Sequence, residues 1–164
     1  IKMGFISGRM YMNDIMYTGI LLPPEVKLGF EKLFPDYFEL DNVFCHHVTL
    51  NYLPNSVAIE KTEFGKEVLV EFTKVYKNDK VAVAVCTFDG ERQYNVEHPH
   101  MTISTAENVL AVESKNLLKK IREVGFRNLP YDEIPECHMW YHEAYPTYSG
   151  TIVVFNHNNE VVRS

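Results

Sequence analysis

His47-Val48-Thr49-Leu50 and His100-Met101-Thr102-Ile103 repeat one pattern: a histidine, an apolar residue, a threonine, another apolar residue. In an extended strand, successive side chains point to opposite faces. His47 and Thr49 are therefore expected on one face, with Val48 and Leu50 turned to a core. The same alternation sets His100 and Thr102 against Met101 and Ile103. One such tetrapeptide carries little. Two in a chain of 164 residues point to a cleft floored by paired imidazoles and hydroxyls, an arrangement suited to phosphoryl chemistry.

The segments around the two motifs read as an α+β protein. Ile15 to Leu22 reads as a strand that ends at Pro23-Pro24, and the double proline suits a first helical turn. Val26, Phe30, Leu33 and Phe34 then fall at helical spacing until Pro35 stops the helix. The first motif strand covers Cys45 to Leu53. Strands follow over 67–76 and Val81 to Phe88, joined by the turn Lys77-Asn78-Asp79-Lys80, with Asp89-Gly90 as the next turn. The second motif strand covers His100 to Thr105. A second helix follows, with Ser114 as N-cap, Leu117, Leu118, Ile121 and Val124 on one face, and Gly125 past its end. Gly150 to Phe155 is the last clear strand. The expectation is antiparallel sheets with two helices packed outside them.

Length and charge narrow the function classes. Residues 1–12 are read as a tail, and 13–164 as a single two-lobed domain. The net charge of −6 argues against a broad basic surface for duplex nucleic acid, and leaves room for a small anionic ligand in a local pocket. No apolar run approaches the roughly 18–20 residues of a membrane span, and the start lacks the apolar core of a signal peptide. Cys45, Cys86 and Cys137 have no framework spacing and read as free thiols of a reducing compartment. An intracellular, cytoplasmic protein is expected.

Cleaving a ribose phosphodiester beside a free 2′-hydroxyl needs a base for the 2′-OH proton and an acid for the departing 5′-oxygen. Histidine suits both, because its ordinary pKa of about 6.5 lets it hold either state near neutrality. A neighbouring threonine hydroxyl can bond the nonbridging oxygens as charge develops. The chemistry needs neither metal nor cofactor.

These residues resemble the two-histidine phosphoesterase superfamily, the LigT-like fold, defined by paired H-x-[ST]-h motifs. Tyr17-Thr18-Gly19-Ile20, Cys45-His46-His47-Val48-Thr49-Leu50 and Pro99-His100-Met101-Thr102-Ile103 look like its viral branch. That branch includes phage anti-CBASS nucleases and poxviral LigT-like phosphodiesterases, which degrade cyclic-nucleotide immune signals. Plant and fungal tRNA-ligase cyclic phosphodiesterase domains share similar motifs. The resemblance implies a two-lobed fold with a central cleft and His47, Thr49, His100 and Thr102 as catalytic residues. It also implies a small cyclic nucleotide such as cGAMP as substrate, in the host cytosol if the protein is viral. The interval between the histidines is shorter than in many members, which implies trimmed loops over the cleft. Relatives also use an aromatic residue near the phosphate, for which Tyr17 is the candidate, and a C-terminal acidic residue, for which Glu133, Glu136 and Glu143 compete.

Plainer readings stand beside these. A lone histidine on a half-buried strand is as often structural as catalytic, and it is the shared spacing that favours the pair. His46 faces away from His47 by alternation, while His98 shares a face with His100 if the strand is unbroken by Pro99. His138 and His142 have i, i+4 spacing next to Cys137, yet Pro135 and Pro146 disfavour a helix, so no metal site is expected. Among Tyr52, Tyr94, Trp140 and Tyr141, Trp140 is the candidate for stacking on a substrate base. Lys119-Lys120-Ile121-Arg122 reads as a solvated helix face.

Overall fold

Tyr17–Leu21 forms strand β1, and Pro23-Pro24 ends it by starting a helix. Pro24 occupies the first turn of α1 (Pro24–Leu33), where its missing N–H costs nothing. Val26 and Phe30, one turn apart, are buried, and burying a ring such as Phe30 stabilises by roughly 1.5–3 kcal/mol. Leu33 instead is 60% exposed, because the chain leaves the helix there into a 3₁₀ turn over Pro35–Phe38. The computed structural model describes residues 17–54, 56–90 and 94–163. The expected tail over 1–12 and the first residues of the expected opening strand lie outside them.

The architecture is α+β. Among the described residues, three α-helices pack on nine strands of one antiparallel sheet, not on separate sheets. The strands are β1, β2 (Asn42–Val43), β3 (His47–Tyr52), β4 (Glu67–Lys77), β5 (Val81–Phe88), β6 (His100–Thr105), β7 (Glu136–Met139), β8 (Thr147–Phe155) and β9 (Val161–Arg163). Helix α2 spans Ser56–Lys61 and α3 spans Val112–Val124. The main path runs β2-β6-β5-β4-β8-β1-β3, with β7 on β4 and β9 on β8. Sequence periodicity missed α2, β2, β7 and β9, all of them short.

Long β4 joins two halves. Glu67–Glu71 pairs with β8, and Lys74–Lys77 pairs with β7, while β5 runs along both parts. The register slips between Phe72 and Lys74, and this bulge lets one strand change partners. On β5, Ala82 and Ala84 join the core under α1, whereas Val83 and Val85 alternate to the other face beneath Leu118 of α3. Met101 and Ile103 of β6 also belong to the α1 core, so His100 and Thr102 face α3.

Ser114 is not the N-cap of α3. The helix starts two residues earlier after Ala111, with no side-chain cap, and Ser114 is fully buried in its first turn. Gly125 does end it, with φ 85° and its N–H donated to Ile121 O. Among the described residues no helix is long and apolar enough to cross a membrane. Cys45, Cys86 and Cys137 form no disulfide.

Candidate active site

On the first half, β1 and β3 pair with Leu21 opposite His47 and Gly19 opposite Thr49. Val48 and Leu50 enter the α1 core as alternation predicts, and His47 and Thr49 take the other face. There His47 rests on two rings: Tyr17 at 5.2 Å and Phe155 at 5.3 Å between centroids, themselves stacked at 4.5 Å. Gly19 makes room for this packing. A Cβ there would stand 2.8 Å from the Val48 carbonyl oxygen and 3.3 Å from the Phe155 ring. The Tyr17 hydroxyl donates to Asn159 Oδ1 at 3.2 Å, and burial pushes its pKa up. Tyr17 thus stands beside the first histidine as a wall, with its polar end already engaged.

The link from β2 into β3 corrects the expectation for His46. Phe44 and Cys45 still follow β6, donating N–H bonds to Ile103 O (2.8 Å) and Thr102 O (2.9 Å). Cys45 then adopts φ 60°, a left-handed conformation that costs a non-glycine residue about 1 kcal/mol or more. The chain swings onto β1, where Leu22 donates to His46 O at 2.8 Å. Strand geometry begins only at His47, so alternation does not govern His46. Its Nδ1 lies 2.7 Å from His47 Nδ1, with ring centroids 4.7 Å apart and planes 27° apart. His46 therefore turns toward His47, edge to edge.

On the second half, the His100 Nδ1–H donates to the His98 carbonyl at 2.6 Å. A carbonyl can only accept, so this bond fixes the tautomer and leaves Nε2 as the reactive nitrogen. The Thr102 hydroxyl is 2.8 Å from that of Ser114. If Ser114 donates, the Thr102 proton is left for a ligand. A small pocket of about 120 Å³ lies between the halves, lined by Thr49 and Tyr52 on one side and His98, His100 and Lys115 on the other. Asn95, Val96 and Glu97 complete its lip, and Asn95 N–H donates to Asn51 Oδ1 at 2.9 Å.

His47 lies within electrostatic reach of His100. His47 keeps part of its surface open, yet dense surroundings pull its pKa down to about 3, with the His46 and His100 charges adding to burial. His100 is also lowered by burial, against the opposing pull of the His98 carbonyl, with His98 and Lys115 as further repulsive charges. His47 is therefore neutral at physiological pH.

Of the expected site residues, Thr49 and His100 line this pocket, whereas His47 with Tyr17 against its ring, and Thr102 bonded to Ser114, neighbour those two along their strands without lining it. Trp140 is not among them: it packs on Phe30, Phe34 and His138 against the α1 core, across the sheet from His100 and Thr102. Tyr94 packs on Phe88, and Tyr141 is 84% exposed. None of the three glutamates proposed as the acidic partner lines the pocket. Glu133 pairs with Lys120 at 2.8 Å, and the acidic residue at the lip is Glu97. His138 sits on strand β7, where helical i, i+4 spacing to His142 does not apply. No group of three or more His, Cys, Asp or Glu among the described residues is arranged to hold a metal ion. Lys115, Ser114 and Phe155 were not anticipated. The signals in the sequence are a serine and a cation, Ser114 and Lys115, at the expected start of the second helix.

No protein-family model matches the chain. No curated protein matches it in sequence. Among solved structures it is similar to a crystal structure of a fungal RNA kinase, with a TM-score of 0.50 and 15% identity. The match covers 92% of this chain and 46% of that one, so this chain spans about half the length of that neighbour. At this identity the likeness bears on the fold alone.

Proposed function

We propose that the protein is a phosphodiesterase that opens 3′,5′ linkages of small cyclic di- or oligonucleotides, of the kind used as immune signals. Destroying such a signal would let a virus evade host defence. The observation that carries this reading is that two histidines on separate strands lie within electrostatic reach of each other, each with its Nδ1 already hydrogen-bonded. A base and an acid flanking one phosphate require that arrangement.

The two environments divide the labour. His100 always keeps its Nδ1 proton, and the His98 carbonyl favours the imidazolium formed when Nε2 is also protonated; it is the acid. His47 has no such carbonyl and is held neutral; it is the base. His47 Nε2 takes the 2′-OH proton, the 2′-oxygen attacks phosphorus, and His100 protonates the departing 5′-oxygen. The product is a 2′,3′-cyclic phosphate, open to later hydrolysis. Thr49 and Thr102 bond the nonbridging oxygens, and Lys115 draws the phosphate in. Tyr17 supports His47 through its ring. No step calls for a metal or cofactor, and the small pocket suits a small substrate better than duplex nucleic acid.

A second reading keeps the site and changes the substrate to RNA ends bearing a 2′,3′-cyclic phosphate. It draws on the likeness to a fungal RNA kinase. Turnover of a 3′,5′-cyclic dinucleotide and of an oligonucleotide with a 2′,3′-cyclic phosphate end, both in EDTA, separates the two. Rapid cleavage of the dinucleotide is expected. Turnover of the oligonucleotide alone would overturn the first reading in favour of the second, and loss of all activity in chelator would overturn the acid–base scheme.

A further inference from the structure

The mechanism above uses only the Nε2 edge of His47, which leaves the bond between His46 and His47 without a task. We propose that His46 is a positioning residue for His47. It holds the imidazole through the Nδ1–Nδ1 bond and takes the Nδ1 proton as Nε2 receives one from the substrate. The inference rests on the phosphodiesterase reading and adds a second proton to it.

The geometry requires one shared proton. Two imidazole nitrogens at 2.7 Å cannot both be protonated without repulsion, nor both bare without losing the bond. With the Nδ1 atoms 2.7 Å apart and the ring centroids 4.7 Å apart, the two rings meet at their Nδ1 edges. When His47 carries that proton, its Nε2 is bare and ready to act as a base. When His46 carries it, Nε2 of a neutral His47 holds the other. The pair therefore offers His47 in both states without charging it.

That matters because His47 is the wrong place for a cation. It stands against the Tyr17 and Phe155 rings, and the His100 charge acts on it across the cleft. Burial lowers the His46 pKa first, and the Lys27 charge from α1 lowers it further, without the His100 charge that also acts on His47. Lys27 is half-exposed and lies 3.9 Å from Glu31, so solvent and a carboxylate screen it. His46 also meets the edge-on ring of Phe44 at 6.2 Å.

The step balances. The 2′-O–H bond breaks as Nε2–H forms on His47, and the His47 Nδ1–H bond breaks as Nδ1–H forms on His46. The electron pair left on the 2′-oxygen forms the new bond to phosphorus, the bond from phosphorus to the 5′-oxygen breaks, and that oxygen takes the His100 proton. The positive charge moves from His100 to His46, and His47 stays neutral throughout.

The test measures kcat and KM for a 3′,5′-cyclic dinucleotide with wild type, His46→Ala, His46→Asn and His47→Ala, together with each melting temperature. An Asn amide can replace the hydrogen bond to Nδ1 but cannot take up a proton. Both His46 variants are expected to lose at least about tenfold in kcat at little changed KM, below the hundredfold or more that removing the base itself costs. Their melting temperatures should stay within a few degrees of wild type. Wild-type kcat in His46→Ala, restoration of kcat by His46→Asn, or losses that track melting temperature would each overturn the proposal. Full activity in His47→Ala would instead sink the phosphodiesterase reading itself.

Discussion

His47 and His100 occupy the same tetrapeptide in opposite settings. His47 lies on an apolar bed of Tyr17 and Phe155, with a second imidazole as its polar neighbour. His100 lies in a polar corner, tied to a backbone carbonyl and facing Lys115, with Ser114 behind its threonine. An apolar bed with a switchable partner makes a neutral base. A fixed acceptor makes a donor with a locked tautomer. A repeated motif thus specifies where two groups stand, and the strands and helices behind it specify what each of them does.

The contrast breaks first at the histidines. His47→Ala and His100→Ala should each lower kcat by about 10²–10⁴-fold, measured on a cyclic dinucleotide with folding checked by circular dichroism. Half-maximal activity in either variant would end the division of labour. Acid unfolding comes next. His47 titrates near 3 when folded and near 6.5 when unfolded, so between these values the unfolded chain binds more protons. Stability from this group is whole above pH 6.5 and falls as the pH drops toward 3, a loss His46 and His100 share in sign. His47→Asn should flatten urea midpoints plotted between pH 7 and 4.

Smaller effects separate the two supports. Gly19→Ala pushes a Cβ against the Val48 carbonyl and the Phe155 ring, and should cost about 1–3 kcal/mol of stability in urea melts. Ser114→Ala removes the buried partner of Thr102 and should cost about 1–3 kcal/mol, whereas Thr49→Ala, in a half-buried strand position, should change kinetics with little change in stability. Lys115→Met should raise KM a few-fold, the scale of the ~1 kcal/mol typical of exposed charge pairs, and reduce its salt dependence. An unchanged KM would remove Lys115 from the substrate path.

Much of this was legible because alternation is a local property. Val48, Leu50, Met101 and Ile103 are buried as period two requires, and Pro24 and Gly125 mark helix ends by their backbone restrictions. What escaped depends on tertiary geometry. A left-handed Cys45 has no signature in a residue type that seldom adopts it, so the turning of His46 toward His47 was hidden. Trp140 follows a short strand whose four residues are all exposed, and nothing local says which sheet face it will cover. Ser114 shows the same blindness: a serine near a helix start reads as a cap, and only the neighbouring β6 makes it a buried partner.

The link between β2 and β3 also sets a mechanical limit. These strands stand at opposite ends of the main sheet path, yet only Phe44, Cys45 and His46 lie between them in the chain. Such a span reaches roughly 14 Å at full stretch. The two halves are tethered at the histidines themselves, so they cannot swing apart there to admit a bulky ligand. The length of that tether acts as a gauge on what the cleft can admit.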